Sequence, residues 1–109
     1  MILISKYLVP KGYVGIAIFP FVFLRYRHLK MNTTLMNHEK IHLRQQLELF
    51  VLPFYFFYAF EFLIRLLAYR SWNTAYQNIS FEREAYANEK DLNYLQSRSF
   101  WNFINYIKI

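Results

Sequence analysis

The sequence predicts a single α+β domain in which a small N-terminal β-sheet packs on a long helix, with two further helices after it. Three observations carry this reading. Residues 1–27 are rich in β-branched and aromatic types and are punctuated by Pro10, Gly12, Gly15 and Pro20, a pattern of short strands and turns. Beyond them helical periodicity dominates, restarted by caps or breakers at Asn32–Thr34, Pro53 and Ser80. The length of 109 residues suits one domain, and the 22% aromatic content supplies large rings to fill a core.

Within the first segment Pro20 marks a turn or a sheet edge, because proline cannot donate to a ladder. The stretch Phe21 to Arg27 reads as an edge strand able to take an extended chain by strand addition, and equally as a core strand. Asn32, Thr33 and Thr34 offer N-caps for a helix of roughly 34–51. At about 100° per residue, Met36, Leu43, Leu47 and Phe50 share one stripe, expected in the core. Asn37, Lys40, Arg44 and Glu48 share another, expected in solvent. His38 and His42 fall on neither. Pro53 ends or bends that helix, and an aromatic helix of about 54–70 follows. Trp72 to Asn78 reads as a loop. Ser80 is placed to cap a third helix of about 81–96, with Phe81, Ala85, Leu92 and Leu95 as its apolar stripe. Residues 97–109 give no clear assignment.

The charge is +6, which raises nucleic acid or an anionic membrane surface as partners. The basic residues do not cluster and no nucleic-acid motif accompanies them, so nucleic acid is not expected. There is no Cys, which removes disulfides and thiolate metal sites and leaves His and carboxylate as metal donors. The apolar run Tyr13 to Leu24 contains Pro20 and lacks a small-residue cleavage site, so it does not read as a secretory signal. A cytoplasmic location, with peripheral membrane association as an addition, is the expectation.

The run His38-Glu39-Lys40-Ile41-His42 carries the chemistry. Residues i and i+4 of a helix lie on one face, about 6 Å apart along the axis, so two imidazoles there can converge on one cation. Glu39 lies about 60° around from His42, within reach of a water on that cation. Zinc lowers the pKa of such a water towards about 7, and a glutamate there accepts its proton during attack on a carbonyl. The motif therefore points to Zn2+ and hydrolysis. A third ligand must come from elsewhere. The extended pattern H-E-x-x-H-x-x-G-x-x-H is excluded, because Gln45 and Glu48 stand where it needs glycine and histidine. A downstream carboxylate is expected, from Glu61, Glu82, Glu84, Glu89 or Asp91. The helical wheel alone leaves Glu82 and Glu84 both open.

With these residues the chain resembles the gluzincin metallopeptidases, most closely their minimal members, the minigluzincins. The resemblance rests on His38, Glu39 and His42 and on Glu82-Arg83-Glu84-Ala85-Tyr86, which matches the second motif E-x-x-A. It implies a zincin-like fold, Glu82 as third zinc ligand, Glu39 as general base, and peptide or protein in extended conformation as substrate. Several relatives carry Asp after the alanine, where this chain has Tyr86. That tyrosine and His28 become candidates for polarising a substrate carbonyl.

Leu49 to Tyr69 is long enough to cross a bilayer, but Glu61 and Arg65 interrupt it. A single crossing would separate the two histidines from Glu82 by about 30 Å. If all three hold one ion, this segment folds back into the core or dips into a membrane interface. The core reading makes it an aromatic helix with a Glu61–Arg65 pair one turn apart. Two other classes stand beside the peptidase: a zinc-stabilised scaffold without turnover, and a single-span membrane protein whose histidine motif arose by chance.

Overall fold

The computed structural model describes residues 2–107. Three short strands, β1 (Ile2–Ile4), β2 (Gly15–Ile18) and β3 (Phe21–Leu24), form a sheet in the order β1-β3-β2. β1 runs parallel to β3, and β2 pairs with it antiparallel across a turn holding Phe19 and a cis Pro20. The strand expected at an edge is therefore the central one. β3 has neighbours on both sides, and the free edges belong to β1 and β2.

Helix α1 spans Thr33–Glu48, with the Asn32 side chain accepting from the Leu35 N–H at 3.0 Å. This cap satisfies a donor that has no partner within the helix. Val22 and Leu24 of the sheet meet Met36 of α1 in one core cluster. The expected core stripe of α1 is only half right. Leu47 is 54% exposed and Phe50 83% exposed. In their place α1 buries Asn37, His38, Glu39, Ile41, His42, Gln45, Gln46 and Glu48. Glu48 and Asn37, expected in solvent, find partners from distant segments. Arg98 pairs with the Glu48 carboxylate, and Asn37 Nδ2 donates to the carbonyls of Glu89 and Asp91 at 2.8 and 2.9 Å.

α1 ends before the expected boundary. Phe50 and Val51 both take positive φ, and the Leu52 N–H closes a γ-turn on the Phe50 carbonyl at 2.8 Å. α2 (Leu52–Tyr69) then starts with Pro53 in its first turn, where a missing N–H costs nothing. Its inner side joins Ile79, Phe81 and Phe103 through Phe54. The core reading of α2 is corrected, since only Phe54 and Arg65 of its 18 residues are buried. By length and composition alone it is apolar enough to cross a membrane.

The stretch expected as a loop is a short helix, α3 (Trp72–Gln77), with Ser71 Oγ accepting from the Thr74 N–H. α4 covers Ser80–Asn88, and a separate turn, α5, covers Tyr94–Ser97. One helix over 81–96 is thus not formed. The Asn37 amide takes the carbonyls at the end of α4, and Leu92 is exposed in the break. Ser80 is the first residue of α4 rather than its side-chain cap. Its N–H and Oγ both donate to Glu61 of α2, at 2.7 and 2.6 Å. A 3-10 stretch, Asn102–Tyr106, closes the described chain against α4.

Candidate metal centre

α1 and α4 bring the donors together. Ile41 and Ala85 meet between these helices, both fully buried, and the small alanine side chain permits a close approach of the two backbones. His38 and His42 lie one turn apart on α1, and Glu82 lies in the first turn of α4. All three are buried.

Their donor atoms form a nearly equilateral triangle. Glu82 Oε1 is 3.2 Å from His38 Nε2 and 3.0 Å from His42 Nε2, and the two ring nitrogens are 3.2 Å apart. A tetrahedral ion with bonds of about 2.0–2.1 Å holds neighbouring ligand atoms roughly 3.3 Å apart. The triangle fits such an ion with a few tenths of an ångström of opening. Hydrogen bonding does not close it equally well, since each ring nitrogen carries at most one proton and the edges compete for it. The His38–His42–Glu82 group can therefore hold a metal ion.

His42 and Glu82 each have a second hydrogen-bond partner that orients them, as metal ligands ordinarily do, and His38 has a carboxylate nearby. His42 Nδ1 lies 2.8 Å from Gln45 Oε1, and His38 Nδ1 lies 3.6 Å from a Glu89 oxygen. The other Glu82 oxygen accepts from the Tyr58 hydroxyl at 2.6 Å. Burial lowers the His42 pKa, but the adjacent Glu82 carboxylate outweighs it and raises the value to about 9. Burial alone raises the Glu82 pKa, yet His42, with hydrogen bonds from His38 and Tyr58, brings it well below the usual carboxylate range. At neutral pH the ion-free cluster is thus an ion pair, protonated His42 beside ionised Glu82, and a cation that enters it displaces the His42 proton.

Glu39 does not join the triangle. With His42 and Glu82 it lines a cavity of about 370 Å³ between β2 and the inner side of α2. Burial pushes its carboxyl pKa up, partly opposed by His42 and His38. Gly15 lets β2 pass close by: a Cβ there would sit 3.7 Å from Glu39 Oε2 and 3.2 Å from Leu24 Cδ2. Tyr13, Tyr55, Tyr58 and Tyr76 add phenols, and Gln46 an amide, to a wall that is apolar away from the donor cluster. Burial, reinforced by the Glu82 charge, raises the pKa of Tyr58 and Tyr76, so both remain protonated donors.

The remaining carboxylates have other partners. Glu84 is fully buried and accepts from Gln45 Nε2 at 2.9 Å and from Tyr94 and Arg98. Glu61 pairs with Arg65 at 3.3 Å, as expected from their spacing, and also holds the start of α4. Asp91 is exposed in the break after α4. Tyr86 is 44% exposed and sets its ring edgewise against His38, with centroids 4.6 Å apart. Its hydroxyl bonds Tyr76, which lines the cavity, whereas Tyr86 is not among the cavity's lining residues. His28 lies on the 3-10 stretch Arg27–Met31, where it stacks on Tyr26.

Three residues of the site escape a reading of the sequence: Gln45, Tyr58 and Tyr76. Gln45 has a weak local signal, standing three residues after His42 on the same helix. The two tyrosines have none, because their contacts depend on how α2 and α3 fold back. Comparison of the chain with models of protein families, with curated proteins and with solved structures finds no match.

Proposed function

We propose that this chain is a zinc-dependent peptidase of the gluzincin type, with His38, His42 and Glu82 as ligands and Glu39 as general base. The observation that carries the proposal is the division of labour among four buried groups. Three converge on one point, and Glu39 stands beside them on a cavity wall large enough for a peptide segment. The absence of Cys and the matching triangle edges favour zinc in an N/O site. Bound there, zinc supplies a water of lowered pKa and a positive charge for a carbonyl oxygen.

The chain's own residues do the rest. Glu39 takes up a proton from the water and returns it to the leaving amine, and its burial keeps its basicity above that of a solvated carboxylate. Tyr76 on the cavity wall donates its hydroxyl to Tyr86 in the substrate-free protein and turns that O–H to the carbonyl oxygen when substrate binds. The free edge of β2 receives an extended substrate, the role first assigned to Phe21 to Arg27. Gln46 Nε2 and the Tyr55 hydroxyl already take the Ala17 carbonyl, at 2.7 and 3.1 Å, and Gln46 Oε1 takes the Phe19 N–H at 2.7 Å. Strand addition is therefore left to the end near Gly15, whose backbone groups face the same edge as those of Ala17.

Metal analysis of the purified protein, with Glu39→Gln as partner, tests this reading. About one zinc per chain is expected in both proteins, with cleavage of unstructured peptides by the parent only. Zinc in both and turnover in neither would make the protein a metal-stabilised scaffold. No metal in either would end the proposal.

A further inference from the structure

α2 divides its residues sharply between two faces. The inner face holds Phe54 and both charged residues of the helix. Arg65 is only 7% exposed, and Glu61 is occupied by Arg65 and by the Ser80 N–H and hydroxyl. The outer face carries Phe56, Phe60, Leu63, Ile64 and Leu67, all between 49% and 79% exposed, with Leu52 and Ala59 alongside. No polar side chain interrupts it. The two charges that make this segment ambiguous by hydropathy are spent inside the protein, so water meets an unbroken hydrocarbon stripe. A stripe of this kind is unusual on a monomeric soluble surface and marks an interaction site.

The charge around it names the partner. Among the described residues eight lysines and arginines are exposed, and the only exposed acid is Asp91. The remaining acids are buried or half-buried. The surface is therefore more one-sided than the overall charge of +6 indicates. Arg44, one turn before the end of α1, and Arg70, the residue that ends α2, put exposed cations before and after the stripe. Tyr69 and Trp72 stand exposed at its C-terminal end, ring types that favour the headgroup level of a bilayer. Two copies of a chain this cationic repel one another, whereas an anionic surface attracts each of them.

We propose that α2 lies in the plane of a membrane surface bearing anionic lipid, with its outer face sunk to the acyl boundary. It does not cross. Its inner face packs on α3 and, through Phe54–Phe81 and the Glu61–Arg65–Ser80 bonds, on the start of α4, so only one side of the helix is available to hydrocarbon. Seating α2 on lipid requires neither the metal nor peptide cleavage.

Co-sedimentation of the full chain with phosphatidylcholine vesicles, with and without phosphatidylserine, is the test. Binding to the phosphatidylserine vesicles, weakened by high salt, is expected. Phe60→Asp should lower partitioning at least about tenfold, with Leu67→Ser as a milder second variant. Both should keep the parent's circular dichroism, since neither residue is buried. No partitioning by the parent, or partitioning unchanged in both variants, would overturn the proposal. So would cysteine tags at Asn73 and Lys40 reacting from opposite sides of sealed vesicles, which would mean a crossing. A dimer in sedimentation that Phe60→Asp dissociates, without lipid binding, would assign the stripe to a second copy.

Discussion

Glu82 and Glu84 stand two residues apart on α4 and do unlike work. A helical wheel cannot separate them, because both flank the apolar stripe that packs on α1. The structure separates them by what reaches each carboxylate: two ring nitrogens for Glu82, an amide and a guanidinium for Glu84. Substitution of each by Gln should therefore fail differently. Glu82→Gln should weaken zinc binding at least about tenfold, since even the loss of a ligand's own supporting partner costs roughly 10–100-fold. In the metal-free protein it should also cost about 1–3 kcal/mol, because His38, His42 and the Tyr58 hydroxyl lose a buried carboxylate. Glu84→Gln leaves Arg98 with Glu48 as its one remaining carboxylate partner and disturbs Gln45, so it should cost about 3 kcal/mol of stability. Zinc stoichiometry in whatever remains folded should stay near that of the parent. Calorimetric titration with zinc, paired with urea unfolding in chelator, reads the two effects apart. The reverse pattern would move the third ligand to Glu84. His38, Glu39 and His42 were legible because i, i+4 spacing is a local property. Gln45 was not, since its value lies in bonds to Phe81 and Glu84, more than thirty residues away.

At the level of elements, α1 shows where hydrophobic periodicity stops being informative. The wheel put Leu47 and Phe50 in the core because they are apolar and Glu48 in water because it is charged. The helix is amphipathic the other way round in its last turns. Glu48 meets Arg98 and the Trp101 N–H, while Gln46 binds both a carbonyl and an N–H around the β2–β3 turn. Partners 27 to 53 residues distant decide the burial of these polar groups, and no window along the chain contains them. Turn signals were available elsewhere. Asn88, Asp91 and Asn93 announce the break after α4, and Ser71 announces the cap of α3. Leu47→Lys should thus change stability by no more than about 0.5 kcal/mol, as for other exposed positions. Gln45→Leu should cost about 2 kcal/mol or more, because His42 Nδ1, Glu84 and the Phe81 carbonyl each lose a buried partner. Chemical denaturation of the two variants ranks the faces. A larger loss from Leu47→Lys would restore the wheel.

Across the whole molecule the metal centre adds to a junction of α1 and α4 that Ile41–Ala85 packing, Asn37 and Gln45 already make. α1 comes from the first half of the chain and α4 from the second, and between them runs α2, much of whose surface faces outward. The core is divided into three small clusters rather than one, as fits a chain of this size, for which metals are a usual reinforcement. A cation bridging His38, His42 and Glu82 ties two of the packed layers at a point where the protein alone sets a carboxylate against two imidazoles. Binding to the folded state alone stabilises by mass action, by about 2.7 kcal/mol when free zinc exceeds its dissociation constant a hundredfold. At roughly 4–8 °C per kcal/mol for a domain near this length, that raises the melting temperature by about 10–20 °C. Chelation should reverse it, and His42→Ala should melt at one temperature with or without zinc. Hydrogen exchange locates the effect. Zinc should slow exchange most in α4 and in the segment from Tyr94 to Tyr106, which Arg98 fastens to α1 and α4. The edge of β1, which pairs only with β3, should respond least. A melting temperature indifferent to zinc in the parent would mean that the three donors are held by the fold without an ion. The peptidase reading would then lose its centre, while the lipid-facing surface of α2 would be untouched.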